Sequence, residues 1–228
     1  MSDQGAGAPA RQPDAAALGG HDAVSGPEPS GAAPAPRLHY WDASWDLRVA
    51  ECPCDVHFVE WLDENRITDA AIYHFGTGGH HHVGIECASE KRRNAVLGIT
   101  AAPQEYEKYI ALAIKRPDVL RYYNAIFGDI YLLNKKLLPT FDVVTLFHLC
   151  EFRGEKNDAY NALTDLEVAN LLTDKTRPGG HILFFTTSFA FDWDGPMSAK
   201  KAIAQWEKER DVERVGTFKS LLVYRKRR

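Results

Sequence analysis

The sequence predicts a doubly wound α/β sheet, mostly parallel, that ends in an antiparallel hairpin. Short apolar runs of strand-like composition alternate with segments whose apolar residues recur at helical spacing. Turns that contain glycine follow several of these runs. Two β-rich runs near the end of the chain are separated by only two residues, which is the spacing of a hairpin. Together these three observations define the fold class.

Each predicted element can be placed by its spacing and by its start and stop residues. The strands of the parallel part are predicted at residues 70–75, 95–99, 121–127, 141–147 and 181–187. Helices are predicted within residues 38–66, from near Val83, from Pro103 to Pro117, over residues 159–169 and after Ser198. The run from Arg177 to Gly180 is expected to end the fourth helix. Residues 213–218 and 221–225 form the predicted hairpin.

Residues 1–37 differ in composition from the rest of the chain. They contain 10 Ala, 6 Gly and 6 Pro, with one Leu, one Val and no aromatic residue. Such a segment buries too little apolar surface to offset the entropy that is lost on ordering. We therefore expect a disordered arm over residues 1–37 and one folded domain over residues 38–228.

The charge of the predicted domain argues against nucleic acid as a partner. Residues 38–224 carry 21 basic and 27 acidic side chains, and only the closing run 225–228 is strongly basic. A surface that neutralises many phosphates needs a basic excess. A small molecule is therefore expected as the substrate ahead of a protein, with nucleic acid unlikely. The oligomeric state is not readable from the sequence.

Cysteine usage and hydropathy predict a reduced, cytoplasmic protein. Neither a secretory signal nor an uncharged apolar stretch approaching the ~18 residues of a membrane span is visible in the sequence. The four cysteines are Cys52, Cys54, Cys87 and Cys150. Cys52-Pro-Cys54 matches neither the two-residue redox spacing nor a usual zinc knuckle, so we interpret all four as ordinary thiols.

The residues from Gly76 to Gly84 form a glycine-rich turn between the first predicted strand and its helix. In a doubly wound sheet, ligands bind at the carboxyl ends of the strands, where strand order reverses. A glycine turn at that place lets the backbone approach a nucleotide. The dinucleotide pattern is not met because position 81 is His, and Ile85 stands where a P-loop has Lys.

With these features the chain resembles the class I S-adenosylmethionine-dependent methyltransferases over most of residues 55–226. The resemblance rests on the glycine turn, on Gly128-Asp129 after the third strand and on residues 141–144 in the fourth. Residues 177–184, as the turn into the fifth strand, and the closing hairpin add to it. It implies a Rossmann-like domain over residues 38–228 that binds S-adenosylmethionine and transfers its methyl group.

The same resemblance implies a set of cofactor-binding residues. Those expected around the methionine part are Gly76, Thr77, Gly78 and Gly79, and the other candidates are Thr100, Gly128, Asp129 and Phe147. In the family the acid after the third strand contacts the adenine amine, which is the place of Asp129 here. An acid that ends the second strand holds the ribose, which is the place of Thr100 here.

Two positions depart from the family pattern. His74 stands two residues before the glycine turn and Thr100 ends the second strand, where the family usually has acids. A hydroxyl cannot replace the charge-assisted hydrogen bonds of a carboxylate, and Glu105 in the next helix is the nearest alternative acid. These departures keep open a catalytically silent methyltransferase-like binding or scaffold module. Nicotinamide-nucleotide oxidoreduction is a third, disfavoured hypothesis.

Residues just after the fourth strand are the candidates for catalysis. His148, with an unperturbed pKa near 6.5, suits removal of a proton from an oxygen or nitrogen acceptor, and Glu151 lies beside it in the chain. The alternative is that His148 only packs at the strand end. The adjacent residues His80, His81 and His82 point in different directions, so no metal site is expected; one or two of them are instead expected to line the cofactor carboxylate.

Overall fold

A computed structural model describes residues 35–193 and 198–228. Its strands are β1 Ala71–Phe75, β2 Ala95–Thr100, β3 Tyr123–Phe127, β4 Phe141–Leu146, β5 Thr176–Phe185, β6 Val212–Phe218 and β7 Leu221–Lys226. Its α-helices are α1 Cys54–Glu64, α2 His82–Cys87, α3 Pro103–Lys115, α4 Pro117–Leu120, α5 Glu155–Asp158, α6 Asp165–Lys175 and α7 Ala199–Glu209. The arm predicted over residues 1–37 lies, up to residue 34, outside the described residues.

The seven strands form one sheet in the order β3-β2-β1-β4-β5-β7-β6. The first five strands are parallel to one another, and β7 is antiparallel to both β5 and β6. The fold class predicted from the sequence is therefore confirmed. Strand order reverses between β1 and β4, so the carboxyl ends of these two strands border the crevice where ligands of such sheets bind.

Both faces of the sheet are covered by helices. One apolar layer lies around Trp206 of α7, whose ring contacts Phe184 and Tyr224 at centroid distances of 5.2 and 5.0 Å. The other lies around Phe58 of α1, which contacts Phe147 at 5.7 Å. Helices on both faces explain why the central strands are mainly apolar.

The helix after β4 begins later than predicted. We expected it over residues 159–169, but α6 spans Asp165–Lys175, and residues 159–163 form a turn and an irregular segment before it. The reason is a capping box: Thr164 accepts the Glu167 backbone N–H at 3.2 Å and Glu167 accepts the Thr164 N–H at 2.8 Å. Ala162 and Leu163 still pack on the core, which contributed to the misleading helical spacing.

The fifth strand begins earlier than predicted, at Thr176 and not at His181. The run from Arg177 to Gly180 was expected to be a turn, but it lies within the strand, and the pairing with β4 is irregular there. A Cβ on Gly180 would lie 2.7 Å from the Asp142 carbonyl oxygen. Glycine is therefore what allows the two backbones to approach so closely at this point.

Within the part of the chain that the structure describes, no helix is long and apolar enough to cross a membrane.

Candidate functional site

The turn after β1 brings the predicted glycines to the carboxyl edge of the sheet. Gly76 and Gly78 have positive φ angles of 83° and 55°, which side-chain-bearing residues rarely adopt. The Thr77 side chain points back towards β2 and packs on Gly98. A Cβ atom on Gly98 would lie 2.7 Å from the Thr77 Cγ2 atom. Thr77 thus faces the sheet, and only the backbone of the turn faces outward.

A segment that precedes α1, residues 39–46, crosses this edge; we call it the N-terminal strap. The Gly79 N–H donates to the Trp45 carbonyl oxygen at 2.8 Å, and the Trp41 N–H donates to the Ala101 carbonyl oxygen at 3.1 Å. The Trp41 and Trp45 rings contact Phe152 at centroid distances of 5.1 and 6.1 Å. The strap therefore covers the backbone of the glycine turn with the chain's own residues.

A buried carboxylate lies at the end of β2, although it belongs to α3. Glu105 accepts the Thr100 hydroxyl at 2.6 Å and the Trp45 backbone N–H at 3.3 Å. It is 4% exposed, and burial raises the pKa of its carboxyl above the ordinary value despite these hydrogen bonds. The acid that the sequence lacks at Thr100 is thus supplied five residues later.

This raised pKa predicts a pH-dependent stability. Because the folded pKa of Glu105 exceeds the unfolded value, its contribution to stability is complete below pH 4.5 and declines as pH rises through the folded pKa. Glu105→Gln removes this titration. We expect the free energy of unfolding of the variant, measured in urea titrations, to rise relative to that of the wild type as the pH increases above 4.5.

Glu107→Gln is the matched control, since Glu107 is exposed on the same helix. It is expected to follow the wild-type pH profile. A constant difference between Glu105→Gln and wild type across the pH range would show that Glu105 does not carry this dependence.

Asp129 lies after β3 as predicted, but its carboxylate is used within the fold. One oxygen accepts the Tyr131 backbone N–H at 2.9 Å, and the other accepts the Asn157 amide at 2.9 Å and the Tyr160 hydroxyl at 2.7 Å. Gly128 beside it donates its N–H to the Thr100 carbonyl oxygen at 2.9 Å. A carboxylate has about four acceptor positions, so about one remains on Asp129.

The two catalytic candidates meet just after β4. His148 Nδ1 lies 2.9 Å from a Glu151 carboxylate oxygen, and a Cβ on Gly76 would lie 3.5 Å from His148 Cδ2. Phe147, in contrast, is buried under the sheet against Phe58 and His74, away from this edge. The structure therefore brings His148 and Glu151 to the glycine turn, and it does not bring Phe147 there.

Two cysteines that we interpreted as ordinary thiols approach the other side of the His148 ring. Cys52 Sγ and Cys54 Sγ are 3.4 Å apart, and each lies 3.9 Å from His148 Nε2. Cys54 is the first residue of α1 and Cys52 lies two residues before it, whereas His148 follows β4. We call Cys52, Cys54 and His148 the thiol–imidazole cluster.

The members of the thiol–imidazole cluster shift one another's pKa values. The hydrogen bond from Cys54 and the nearby His148 outweigh burial and lower the pKa of Cys52 to about 5, while the pKa of Cys54 is raised. Burial lowers the pKa of His148, but Cys52 and Glu151 reverse this and raise it to about 10. A ring that is protonated at neutral pH is a poor base, which differs from the ordinary pKa expected from the sequence.

Among solved structures, a methyltransferase from Clostridium acetobutylicum, described as S-adenosylmethionine-dependent, is similar to this chain. The identity is 10%, the TM-score is 0.52, and the match covers 80% of this chain and 94% of that one. The [4+2]-cyclase SpnF has 13% identity and a TM-score of 0.52, with 78% and 65% covered. The chain has the class I methyltransferase fold. Neither a family model nor a curated protein matches the sequence.

This chain spans only part of the length of some proteins with which it was compared. It covers 37% of the length of coclaurine N-methyltransferase, described with bound N-methylheliamine and SAH, at 13% identity and a TM-score of 0.43 over 59% of this chain. At such low identity the likeness to these structures is one of fold. That a structure described as a cyclase is among them illustrates that one fold supports several chemistries.

One acidic residue at the carboxyl edge of this class I methyltransferase fold was not predicted from the sequence. Asp55 of α1 is buried, and its carboxylate oxygens lie 3.7 Å from His74 Nε2 and 3.8 Å from His80 Nδ1. Burial raises the pKa of Asp55 to about 7 and lowers that of His74 to about 3. No local pattern links residue 55 to residue 74, so only the packing of α1 reveals this contact.

The three adjacent histidines of the fold diverge. His81 is buried with its ring nitrogens 2.8 Å from the Tyr123 hydroxyl and 2.9 Å from the Glu105 carbonyl oxygen. His80 faces Asp55, and its Nδ1 accepts the His82 backbone N–H at 3.1 Å. The expectation that one or two of them line a cofactor carboxylate is therefore not met by His81, which fixes α3 against β3.

Proposed function

We propose that the chain binds S-adenosylmethionine at the carboxyl edge of the sheet and transfers its methyl group to a small-molecule acceptor. The observation that carries this proposal is the glycine turn at the point where strand order reverses, in a class I methyltransferase fold. The acidic balance of residues 38–224 supports a small acceptor over nucleic acid. The proposal keeps the cytoplasmic location expected from the sequence.

The polar groups at the carboxyl edge of the sheet are of the types that such a cofactor needs as hydrogen-bond partners. The backbone of residues 76–79 would hold the methionine part. Glu105 has used about two of the four acceptor positions of a carboxylate, which leaves about two for the ribose hydroxyls, and Asp129 keeps about one for the adenine amine. Binding would exchange the contacts of the N-terminal strap with Gly79 and Glu105 for contacts with the ligand.

When bound, the cofactor would supply an electrophilic methyl group on a sulfonium. The protein's own contribution would then be to align the acceptor with that methyl group. His148 and Glu151 border the turn at Gly76 and are the residues we assign to this acceptor position. The Phe152 ring, 6.0 Å from His148 and 5.8 Å from Phe75, would help to exclude water.

Calorimetric titration with S-adenosylhomocysteine, the demethylated cofactor, tests the first step. We expect one binding site in the full chain and at least tenfold weaker binding by Gly76→Asp, since its side chain would project between the turn and His148. Gly179→Asp is the matched control because Gly179 also has a positive φ, 79°, but lies in β5 with no atom within 4 Å of its Cβ position. Equal binding by the two variants, or no heat with wild type at millimolar ligand, contradicts the proposal.

A second function, a silent binding or scaffold module, is favoured by the N-terminal strap. Residues 41–45 already satisfy the Gly79 N–H and cover Glu105, as a permanently closed edge would require. This hypothesis predicts no heat of binding with S-adenosylhomocysteine, even for the double variant Trp41→Ala/Trp45→Ala. Methyltransferase function predicts instead that the double variant binds the ligand several-fold more tightly than wild type, because a competing segment is weakened.

A further inference from the structure

The thiol–imidazole cluster has the donor set and the spacing of a transition-metal site. Zinc bonds of about 2.3 Å to sulfur and about 2.0–2.1 Å to nitrogen place tetrahedral ligands roughly 3.5–3.8 Å apart. The three separations in the cluster are 3.4, 3.9 and 3.9 Å. Among the described residues these three form a group whose ligand atoms all lie within 4.8 Å of one another. Small side-chain adjustments would bring all three to bonding distance of one ion.

The His148 ring is oriented as a metal ligand requires. Its Nδ1 faces the Glu151 carboxylate at 2.9 Å, which leaves Nε2 directed at the two sulfur atoms. Metal-bound histidines usually donate their other ring N–H to a carboxylate in this way, which fixes both the tautomer and the ring plane. Glu151 is therefore a positioning residue for the cluster.

We propose that Cys52 Sγ, Cys54 Sγ and His148 Nε2 bind one Zn²⁺ ion and leave its fourth coordination position open. Two thiolates and an imidazole favour Zn²⁺ over Mg²⁺ or Ca²⁺, which prefer oxygen ligands. The ion binds two thiolates and a neutral imidazole, so any proton that the two sulfur atoms and His148 Nε2 still carry passes to solvent on binding. Three protein ligands with one open position are typical of sites that bind a reacting molecule.

This inference goes beyond the proposed function and does not depend on it. The metal would join the start of α1 to the end of β4, which are 94 residues apart in the chain. Metal binding and cofactor binding are measured in separate experiments. A negative result for Zn²⁺ therefore does not contradict the proposed methyltransferase function, and a negative result for the cofactor does not contradict the metal site.

The test is metal binding to the reduced full-length chain after treatment with a chelator. We expect one equivalent of Zn²⁺ in competition with a chromophoric chelator, and one equivalent of Co²⁺ with a thiolate charge-transfer band in its absorption spectrum. Cys52→Ser is expected to weaken Zn²⁺ binding at least 100-fold. Glu151→Gln is expected to weaken it by roughly 10- to 100-fold while the charge-transfer band remains, since both sulfur ligands are kept.

Cys150→Ser is the matched control, because this free cysteine lies outside the cluster and is half-buried like Cys52. It is expected to retain one equivalent of Zn²⁺ with wild-type affinity. Since Cys54 is buried and its substitution can unfold the chain, the decisive variant is Cys52→Ser; circular dichroism verifies the fold of both variants. The proposal is overturned if reduced wild type takes up no Zn²⁺, or if Cys150→Ser lowers the affinity as much as Cys52→Ser.

Discussion

Replacing Trp206 with Ala is expected to lower the free energy of unfolding by about 3–5 kcal/mol, as for other fully buried tryptophans. The Trp206 side chain is 0% exposed, and its ring contacts Phe184 and Tyr224. Its indole N–H donates to the Thr173 hydroxyl at 2.8 Å, which joins α7 to α6. In a domain of this size such a loss lowers Tm by roughly 10 °C, which thermal unfolding followed by circular dichroism would measure.

Trp193→Ala provides the comparison, because Trp193 is 49% exposed. A change within about 0.5 kcal/mol is expected there. If both variants lose the same stability, the packing around α7 does not contribute as described.

Asp129→Asn is expected to lower the free energy of unfolding by roughly 2–3 kcal/mol, although it preserves the size of the side chain. The Asp129 carboxylate accepts three hydrogen bonds, from the Tyr131 backbone, Asn157 and Tyr160. The substitution replaces one carboxylate oxygen with an amide nitrogen, which donates hydrogen bonds and cannot accept them. At least one buried hydrogen bond is therefore lost. Urea unfolding at neutral pH measures the difference.

The control substitution is Asp118→Asn, because Asp118 is exposed and pairs with Arg116 at the surface, where no measurable change in stability is expected. The Asp129 variant also separates two roles of the carboxylate. A stable Asp129→Asn protein that binds S-adenosylhomocysteine more weakly would show that Asp129 serves the ligand and not the fold.

Much of the fold could be predicted because local chemistry determines it. Pro103 begins α3 at a position where its missing N–H costs nothing, and Ser198 caps α7 by accepting the Lys201 backbone N–H at 3.3 Å. Helix α6 could not be placed correctly, since Ala162 and Leu163 pack on the core from an irregular segment and mimic helical spacing. In this segment, apolar residues buried by tertiary contacts have the same spacing along the sequence as the apolar face of a helix.

Less of the candidate site could be predicted. The glycine turn and the His148–Glu151 pair are local patterns, and the structure places them together at the edge. Cys52 and Asp55 come to this edge through the packing of α1 on the sheet, and no spacing in the sequence relates them to His148 or His74. Thr100 and Glu105 form an intermediate case, since the acid lies five residues after the position where it was expected, on the helix that follows the strand.

The position of β7 between β5 and β6 has a consequence for the newly made chain. Strand β5 pairs with β4 on one side, but its other edge pairs with residues 221–225, about 40 residues later in the sequence. During synthesis, β5 therefore leaves the ribosome with an open, apolar edge of the kind that recruits other strands. A ribosome that stalls before residue 221 would present that edge to neighbouring chains, so aggregation during translation is the failure to which this topology is most exposed.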